Sequence, residues 1–344
     1  MPPQFKTYRV LRNRHVMTLA AALVPRRSAR LTRVQERLFE VEAGTQMLAR
    51  CHWQAAPGEC PTLVLVHGLE GSSESRYMLT AAEKAFAAGY NVLRVNQRTC
   101  GGTERLTSTL YNSGLSGDYR AILSELIERD KLPAIFFAGY SMGGNLVFKM
   151  AGDLGATAPA QLLGICGLCP TLDLAGCVDT LNAPENAIYR WHFVRSLKAR
   201  MRRKAGLLPG HYQLDGMDRV RTVREFDDVI TAPHCGYGNA VNYYERASAI
   251  RVAHNISVPA LILTARDDPF VPVASFGVPA ISGNPHIRLV VTEWGGHCGF
   301  ISRKNGDERY WAEARMIEFC NVHAAAAGFG GTTSLAHGQV EKPR

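Results

Sequence analysis

The chain has 344 residues, of which 46% are hydrophobic and 20% are charged, a balance typical of a soluble globular protein. This length suffices for one large domain or two small ones, and it excludes a small disulfide scaffold. The formal net charge of +9 favours anionic surfaces or substrates, but the charge is spread along the chain, so we expect no nucleic acid partner.

Residues 1–36 are predicted to form an N-terminal helical arm. The run VMTLAAALV at residues 16–24 follows a basic start, as in a secretory signal, but Pro-Arg-Arg comes directly after it and no good cleavage site appears. We therefore expect a helix that folds against the domain. No run approaches the roughly 20 apolar residues that span a bilayer, so no transmembrane segment is predicted.

A hairpin at residues 37–53 is followed by strands that alternate with helices. The predicted strands are TLVLV, NVLRV, AIFFAGY and LLGICGL, followed after an interruption by PALILTA and IRLVVTE. This alternation predicts an α/β protein with a mostly parallel central sheet and helices on both faces. We assign residues 37–174 and 257–324 to this core.

The first strand of the alternation ends in His-Gly-Leu-Glu-Gly, residues 67–71. A loop in this position can supply one backbone N–H group of an oxyanion hole, and we assign that group to Leu69. His67 stands before a glycine at the strand end, so we expect it to shape the loop rather than to act as a base.

The sequence GYSMG at residues 139–143 ends another predicted strand. It is typical of a nucleophile elbow, in which Gly139 and Gly143 leave room for a tight turn that exposes the Ser141 hydroxyl. The following amide, that of Met142, is the second predicted oxyanion donor. The alternative is a strand-ending turn without chemistry, because the pattern also occurs by chance.

Residues 175–256 are rich in Arg, Tyr and Asn and lack strand-like runs, which predicts an inserted helical cap. Its best helix covers residues 191–206 and carries an apolar stripe. We predict an acyl pocket between cap and sheet edge, although the stripe could instead only pack the cap onto the body. The predicted pocket residues are Trp191, Val194, Leu197, Met201 and Tyr243.

The same helix contains the basic run KARMRRK, residues 198–204. This run could contact anionic lipid, but we favour a solvated helix face. Nine cysteines in a chain of this length are expected to be reduced thiols of a cytoplasmic protein. Residues 325–344 are small and polar without periodicity, which predicts a disordered tail.

Asp268 and His297 each follow a predicted strand and complete the order Ser, Asp, His with Ser141. The three side chains should therefore meet at the carboxyl edge of the sheet. A serine nucleophile requires a base, and the base requires an acid that fixes its tautomer. Asp267 competes for the acid role, but Asp268 is favoured because it starts the turn Asp-Pro-Phe-Val-Pro.

These motifs resemble those of α/β-hydrolases with a cap and, within that superfamily, those of the YheT-like group. The resemblance extends from about residue 10 to residue 320 and implies hydrolysis of carboxylic esters of fatty acyl chains or small alcohols. Thr99 departs from it, since many members have glycine there. The matching segments are RNRHVMTLAAAL, HGLEGSSESRYM, NQRTCGGTE, YNSGLSGD, GYSMGGN, EFDDVITAPHCGY, ARDDPFVP and GGHCGF.

The sequence therefore predicts a serine hydrolase that cleaves short-to-medium acyl or lipid-type esters through an acyl-enzyme, with a small-molecule substrate and neither metal nor organic cofactor. A thioesterase or another acyl hydrolase is the alternative within this chemistry. A non-catalytic binding protein on the same scaffold is the alternative from a different class. Epoxide hydrolases and haloalkane dehalogenases require an aspartate where this chain has Ser141.

Overall fold

Eight strands of the computed structural model, which describes residues 4–24, 26, 31, 33–304 and 306–329, form one sheet in the order β1-β2-β4-β3-β5-β6-β7-β8. The strands β1 and β2 form the predicted hairpin and pair antiparallel, as do β2 and β4, and all other neighbours are parallel. The strands are β1 (Gln35–Glu42), β2 (Thr45–His52), β3 (Thr62–Val66), β4 (Asn91–Val95), β5 (Ile135–Tyr140), β6 (Leu162–Leu168), β7 (Ala260–Ala265) and β8 (Ile287–Thr292).

The helices follow the predicted alternation, and each predicted strand and helix of the core is confirmed. They are α1 (Arg14–Leu23), α2 (Arg76–Ala87), α3 (Ser116–Glu128), α4 (Met142–Leu154), α5 (Leu174–Asn182), α6 (Ala187–Leu207), α7 (Val223–Phe226), α8 (Ala232–His234), α9 (Ala240–Ala247), α10 (Pro279–Ser282) and α11 (Trp311–Ala326). Helix α11 ends at Ala326 and therefore extends two residues into the predicted tail, residues 325–344. Residues 330–344 of that tail lie outside the described part of the chain.

The two faces of the sheet bury separate apolar clusters. In β3, Leu63 and Leu65 contribute to the cluster that contains α2 and α11, whereas Val64 and Val66 contribute to the cluster that contains α3 and α4. Alternate residues of a strand point to opposite faces, so a strand that is apolar throughout must be covered on both sides. This arrangement confirms the predicted sheet with helices on both faces.

The chain between β6 and β7 is fully described and contains helices α5 to α9 but no strand. We propose that residues 175–256 form the predicted cap. The longest of these helices, α6, buries Val194, Leu197 and Met201. A five-residue π-helix, Asp227–Thr231, lies between α7 and α8.

The basic run of α6 is not one solvated face, so that expectation is wrong for two of its residues. Arg200 is 5% exposed and Lys204 is 0% exposed. The Lys204 ammonium donates hydrogen bonds to the carbonyl oxygens of Glu104 and Thr107. Buried cations are stable only when such partners replace water. The neighbouring Arg202 and Arg203 are exposed, as predicted.

The N-terminal helix α1 folds against the domain, as expected. Its Met17 is fully buried and lies close to Gly296 and Gly299, on either side of His297. None of the helices in the described part of the chain is both long and apolar enough to cross a membrane.

Candidate active site

Ser141 is the single residue between β5 and α4, and its backbone has φ +53° and ψ −118°. Non-glycine residues rarely adopt positive φ, and such conformations cost about 1–3 kcal/mol. The strand and the helix are both fixed by burial, so the turn between them has no freedom to relax. The Ser141 side chain is half-buried.

The glycines that flank Ser141 have no room for a side chain. A Cβ atom on Gly139 would lie 2.2 Å from the carbonyl oxygen of Gly143. One on Gly143 would lie 2.4 Å from the carbonyl oxygens of Val66 and His67. The backbone segments at this turn therefore pack too closely for any residue larger than glycine at these two positions. This is the tight strand-to-helix turn that the GYSMG motif predicts.

His297 and Asp268 form a pair beyond the ends of β8 and β7, in which the Asp268 side chain is buried and that of His297 is partly buried. The His297 Nδ1 atom lies 2.9 Å from Oδ2 and 3.1 Å from Oδ1 of Asp268. The Asp268 carboxylate also accepts hydrogen bonds from the amides of Phe270 and Val271, at 2.8 and 3.0 Å. These bonds fix the carboxylate so that it can accept a hydrogen bond from the Nδ1–H group of the imidazole.

Two opposing effects act on the pKa of His297. Burial lowers it, while the charge of the adjacent Asp268 and the hydrogen bond to that carboxylate raise it. The net pKa is raised, because an adjacent negative charge favours the protonated ring.

Asp267 has a different role in the same loop. Its Oδ1 atom accepts a hydrogen bond from the amide of Gly296 at 2.9 Å, and burial raises the pKa of its carboxyl group. The structure therefore brings Asp268, not Asp267, to the ring of His297.

Ser141 Oγ forms no hydrogen bond to His297 among the described residues. In many hydrolases this bond is long without substrate and tightens in the Michaelis complex. The loop of Gly68 lies against the serine, since a Cβ atom on Gly68 would be 3.8 Å from Ser141 Oγ.

The two predicted oxyanion donors are unpaired in the described part of the molecule. Met142 is the first residue of α4, where an N–H group has no partner within the helix. The amide of Leu69 follows Gly68, whose own amide donates to the Tyr77 hydroxyl at 3.0 Å. Both amides are thus available to an external acceptor.

The His67 ring is fully buried and both of its nitrogens are engaged. Nδ1 donates to the carbonyl oxygen of Gly68 at 2.8 Å, and Nε2 accepts from the amide of Gln97 at 3.1 Å. Burial lowers the pKa of His67 to about 4, so the ring is neutral at pH 7. These contacts fit the predicted loop-shaping role.

A cavity of about 40 Å³ is lined by residues of both the core and the cap segment. Leu69 and Met142 line it from the core. Three of the predicted pocket residues line it from the cap, namely Leu197, Met201 and Tyr243.

The structure does not bring the other two predicted pocket residues to this cavity. Val194 is buried elsewhere, and Trp191 is 60% exposed on the outer side of α6. In the first turns of α6, the inner side is occupied by Tyr189 and Phe193, which both pack on Phe270. Trp191 is two residues from each of them, and such a spacing places side chains on nearly opposite sides of a helix.

A buried ionic network, which the sequence did not indicate, connects α6 to the loop of residues 67–71 that follows β3. Nε of Arg200 donates to Glu70 at 2.8 Å, and the guanidinium lies 4.0 Å from the ring centroid of Tyr111. The Tyr111 hydroxyl donates to the same carboxylate at 2.6 Å. Because Glu70 follows Leu69, α6 holds the residue next to the predicted oxyanion donor.

A second unforeseen contact comes from α1. The Thr18 hydroxyl accepts a hydrogen bond from the amide of His297 at 2.9 Å and donates to the carbonyl of Arg14 at 2.7 Å. The segment RNRHVMTLAAAL was part of the family resemblance, but nothing local in it indicated a partner 279 residues away.

Within the described residues, one group of side chains has donor atoms close enough to hold a metal ion, namely Cys169, His297 and Cys298, all within 4.8 Å. The His297 ring is engaged by Asp268, and the Cys169 sulfur accepts a hydrogen bond from the amide of Cys298 at 3.3 Å.

Comparisons with known proteins place this geometry in context. The family model for the alpha/beta hydrolase fold matches residues 61–304. The putative esterase YheT of Escherichia coli is 30% identical over 328 residues, 94% of this chain and 94% of that protein. The medium-chain fatty acid ethyl ester synthase/esterase 2 of Saccharomyces cerevisiae is 27% identical over 288 residues, 76% of this chain and 62% of that protein.

Among solved structures, a 2,6-dihydroxy-pseudo-oxynicotine hydrolase superposes with a TM-score of 0.60. It is 17% identical, and the match covers 91% of this chain and 72% of that chain. At this identity the similarity shows a shared fold alone.

Proposed function

This chain belongs to the α/β-hydrolase family and, within it, to the YheT-like group of esterase-type hydrolases, and from that membership we propose that it is a serine esterase. The observation that carries the proposal is the strained Ser141 turn at the same sheet edge as the His297–Asp268 pair. Members of this fold use such a constellation for acyl transfer.

Ser141 Oγ attacks the ester carbonyl while His297 Nε2 takes its proton. The Asp268 carboxylate accepts a hydrogen bond from the Nδ1–H group of His297 without taking its proton. This bond leaves Nε2 free as the base and stabilises the imidazolium that forms. The amides of Leu69 and Met142 donate to the developing oxyanion. His297 then protonates the leaving alcohol, and water hydrolyses the acyl-enzyme by the same steps.

The cavity supports a small acyl group. On the same measure of volume a water molecule needs roughly 10–15 Å³, so the ~40 Å³ cavity that Leu69 and Met142 line holds about three or four heavy atoms. The apolar side chains of Leu197 and Met201 suit an acyl chain. The name of the yeast relative supports carboxylic esters as the substrate class.

A thioesterase is the second candidate, since the same three residues would attack a thioester carbonyl. A non-catalytic binding protein has less support, because such a protein has no need of a strained serine at this position. We also propose a cytoplasmic location, which the nine free cysteines support.

Labelling with a fluorophosphonate probe tests the proposal directly. We expect the probe to modify the peptide that contains Ser141, to abolish p-nitrophenyl ester hydrolysis, and to leave the Ser141→Ala variant unlabelled. Hydrolysis that persists after full labelling, or labelling at another serine, would contradict the assignment. Parallel rates with acetyl esters and acetyl thioesters decide between the first two candidates.

A further inference from the structure

An open groove of about 460 Å³ runs along the outer side of α6, away from the cavity. It is lined by five cations and by the tryptophan that the sequence had placed in the acyl pocket. We call this surface the basic groove, formed by Arg190, Trp191, Arg195, Lys198, Arg202 and Arg221.

The positive charge of the basic groove is poorly compensated. Within the described residues, the only ion pair of these five cations joins Arg202 to Asp218, at 2.6 Å. Lys198 and Arg221 donate to backbone carbonyl oxygens. The other nearby acid, Glu225, accepts hydrogen bonds from the backbone amides of Arg221 and Thr222.

Large apolar side chains are exposed on the same helix. Trp191 is 60% exposed and Ile188 is 73% exposed. The Arg195 guanidinium lies 5.3 Å from the Trp191 ring centroid. Tryptophan favours the boundary between lipid and water, where its ring is half in the apolar layer and its N–H group is hydrated.

We propose that the basic groove docks the cap onto an anionic lipid surface. A bilayer offers many negative charges in one plane, which complements cations spread over about three turns of a helix and a neighbouring loop. The exposed Trp191 and Ile188 would enter the headgroup layer. A single soluble phosphate would use the cations but would leave these two apolar side chains without a role.

Docking gives α6 two functional sides. Its outer side meets the lipid, and its inner side, through Leu197 and Met201, lines the cavity that Leu69 and Met142 line from the core. The proposal goes beyond the ester chemistry and does not depend on it, because vesicle binding is measured without substrate.

Co-sedimentation with vesicles tests the proposal. We expect the full chain to bind vesicles made of equal parts phosphatidylcholine and phosphatidylglycerol, and to bind phosphatidylcholine vesicles weakly. Binding should be lost at 1 M salt, where charges are screened beyond ~3 Å. Equal binding to both vesicle types, or no binding to either, would overturn the proposal.

A charge-matched control separates the groove from net charge. The triple variant Arg195→Gln, Arg202→Gln, Arg221→Gln should bind anionic vesicles about a hundredfold more weakly, at roughly a factor of five for each cation. The control triple variant Arg129→Gln, Arg251→Gln, Arg266→Gln removes the same charge from exposed sites elsewhere and should bind like the native chain. Equal losses in both would contradict a defined docking surface.

Two further measurements distinguish lipid from a soluble anion. Trp191→Ala should weaken vesicle binding and remove the blue shift of tryptophan fluorescence on vesicles, with hydrolysis of a soluble ester unchanged. Inorganic phosphate should not compete with vesicles at equal ionic strength. If phosphate competes and Trp191→Ala binds vesicles normally, the groove is a soluble-anion site and the docking proposal is wrong.

Discussion

Ser141 holds a backbone conformation with φ +53°, and alanine would be equally strained there because it also has a Cβ atom. We expect Ser141→Ala to remove nearly all esterase activity, leaving the roughly 10³–10⁴-fold acceleration that binding and the oxyanion donors supply. Ser141→Gly should be equally inactive but more stable by about 1 kcal/mol, because glycine relieves the strain. Activity assays and urea denaturation measure both effects. A variant that keeps a tenth of the native kcat would refute the assignment.

The acid role is tested by comparing Asp268→Asn with Asp267→Asn, each checked for folding. Loss of the Asp268 carboxylate should lower kcat by about 10⁴. Asp267→Asn should cost much less, since that carboxylate contacts the Gly296 amide and not the ring. A larger kcat loss in the second variant would reverse the choice.

The same pair of variants carries a pH prediction. His297 must be neutral to act as a base, so kcat/KM falls as the pH drops below the pKa of the free enzyme's imidazole. Asp268 raises that pKa. In Asp268→Asn the acid limb of the profile should therefore move to lower pH, whereas in Asp267→Asn it should stay close to its native position. If the acid limb moves only in Asp267→Asn, the pairing of Asp268 with His297 is contradicted.

Thr99, which departs from the family's glycine, has φ +64° and is fully buried. Its hydroxyl accepts a hydrogen bond from Arg200 Nη1 at 3.0 Å, an interaction that glycine could not make. Thr99→Val should lower the free energy of unfolding by about 1–3 kcal/mol, because a buried donor loses its partner. Thr99→Ser keeps the hydroxyl and should be close to native. Urea denaturation measures the free energy of unfolding of both variants. Equal losses of stability in the two would show that packing, and not the hydrogen bond, is responsible.

At the scale of whole elements, α1 supports the loop that carries His297. The Thr18 hydroxyl is the hydrogen-bond partner of the His297 amide, so its loss frees the backbone beneath the imidazole. We expect Thr18→Val to lower kcat by about a hundredfold with KM little changed, since small displacements of catalytic groups have such costs. Thr18→Ser should restore the rate. If valine and serine lower kcat equally, α1 contributes packing alone.

We expect the inner side of α6 to set the preference for acyl-chain length. Each buried methylene contributes about 0.8 kcal/mol, roughly fourfold in kcat/KM, so rates should rise from acetate to about butanoate and then level as the ~40 Å³ cavity fills. Leu197→Arg should flatten this rise, and the matched Trp191→Ala, on the outer side, should leave it unchanged. A steady rise to dodecanoate would show that the cap opens for long chains.

At the scale of the whole molecule, the sheet topology brings the three candidate catalytic residues to one edge. Ser141, Asp268 and His297 follow β5, β7 and β8, and these parallel strands all end at one sheet edge. The cap enters between β6 and β7, which puts its helices above that edge. Ser141 and the His297–Asp268 pair, more than 100 positions apart in the chain, are therefore brought to the same edge of the sheet.

The sequence by itself was sufficient for the parallel sheet, the elbow and the candidate triad, because these depend on short-range rules. Strand–helix alternation, the need for glycine beside Ser141, and the order of strand ends are all readable within a few residues. The preference for Asp268 over Asp267 rested on the spacing to Pro272, which is equally local.

Only the tertiary structure decided which side chains of the cap face inward and which partners support the site. The stripe of α6 predicted Trp191 at the cavity, but packing of Tyr189 and Phe193 on Phe270 turns it outward. The contacts of Thr18 with His297 and of Arg200 with Glu70 join segments 279 and 130 residues apart. No local pattern encodes such pairs, because their free energy comes from desolvation and hydrogen bonding that exist only once the chain has folded.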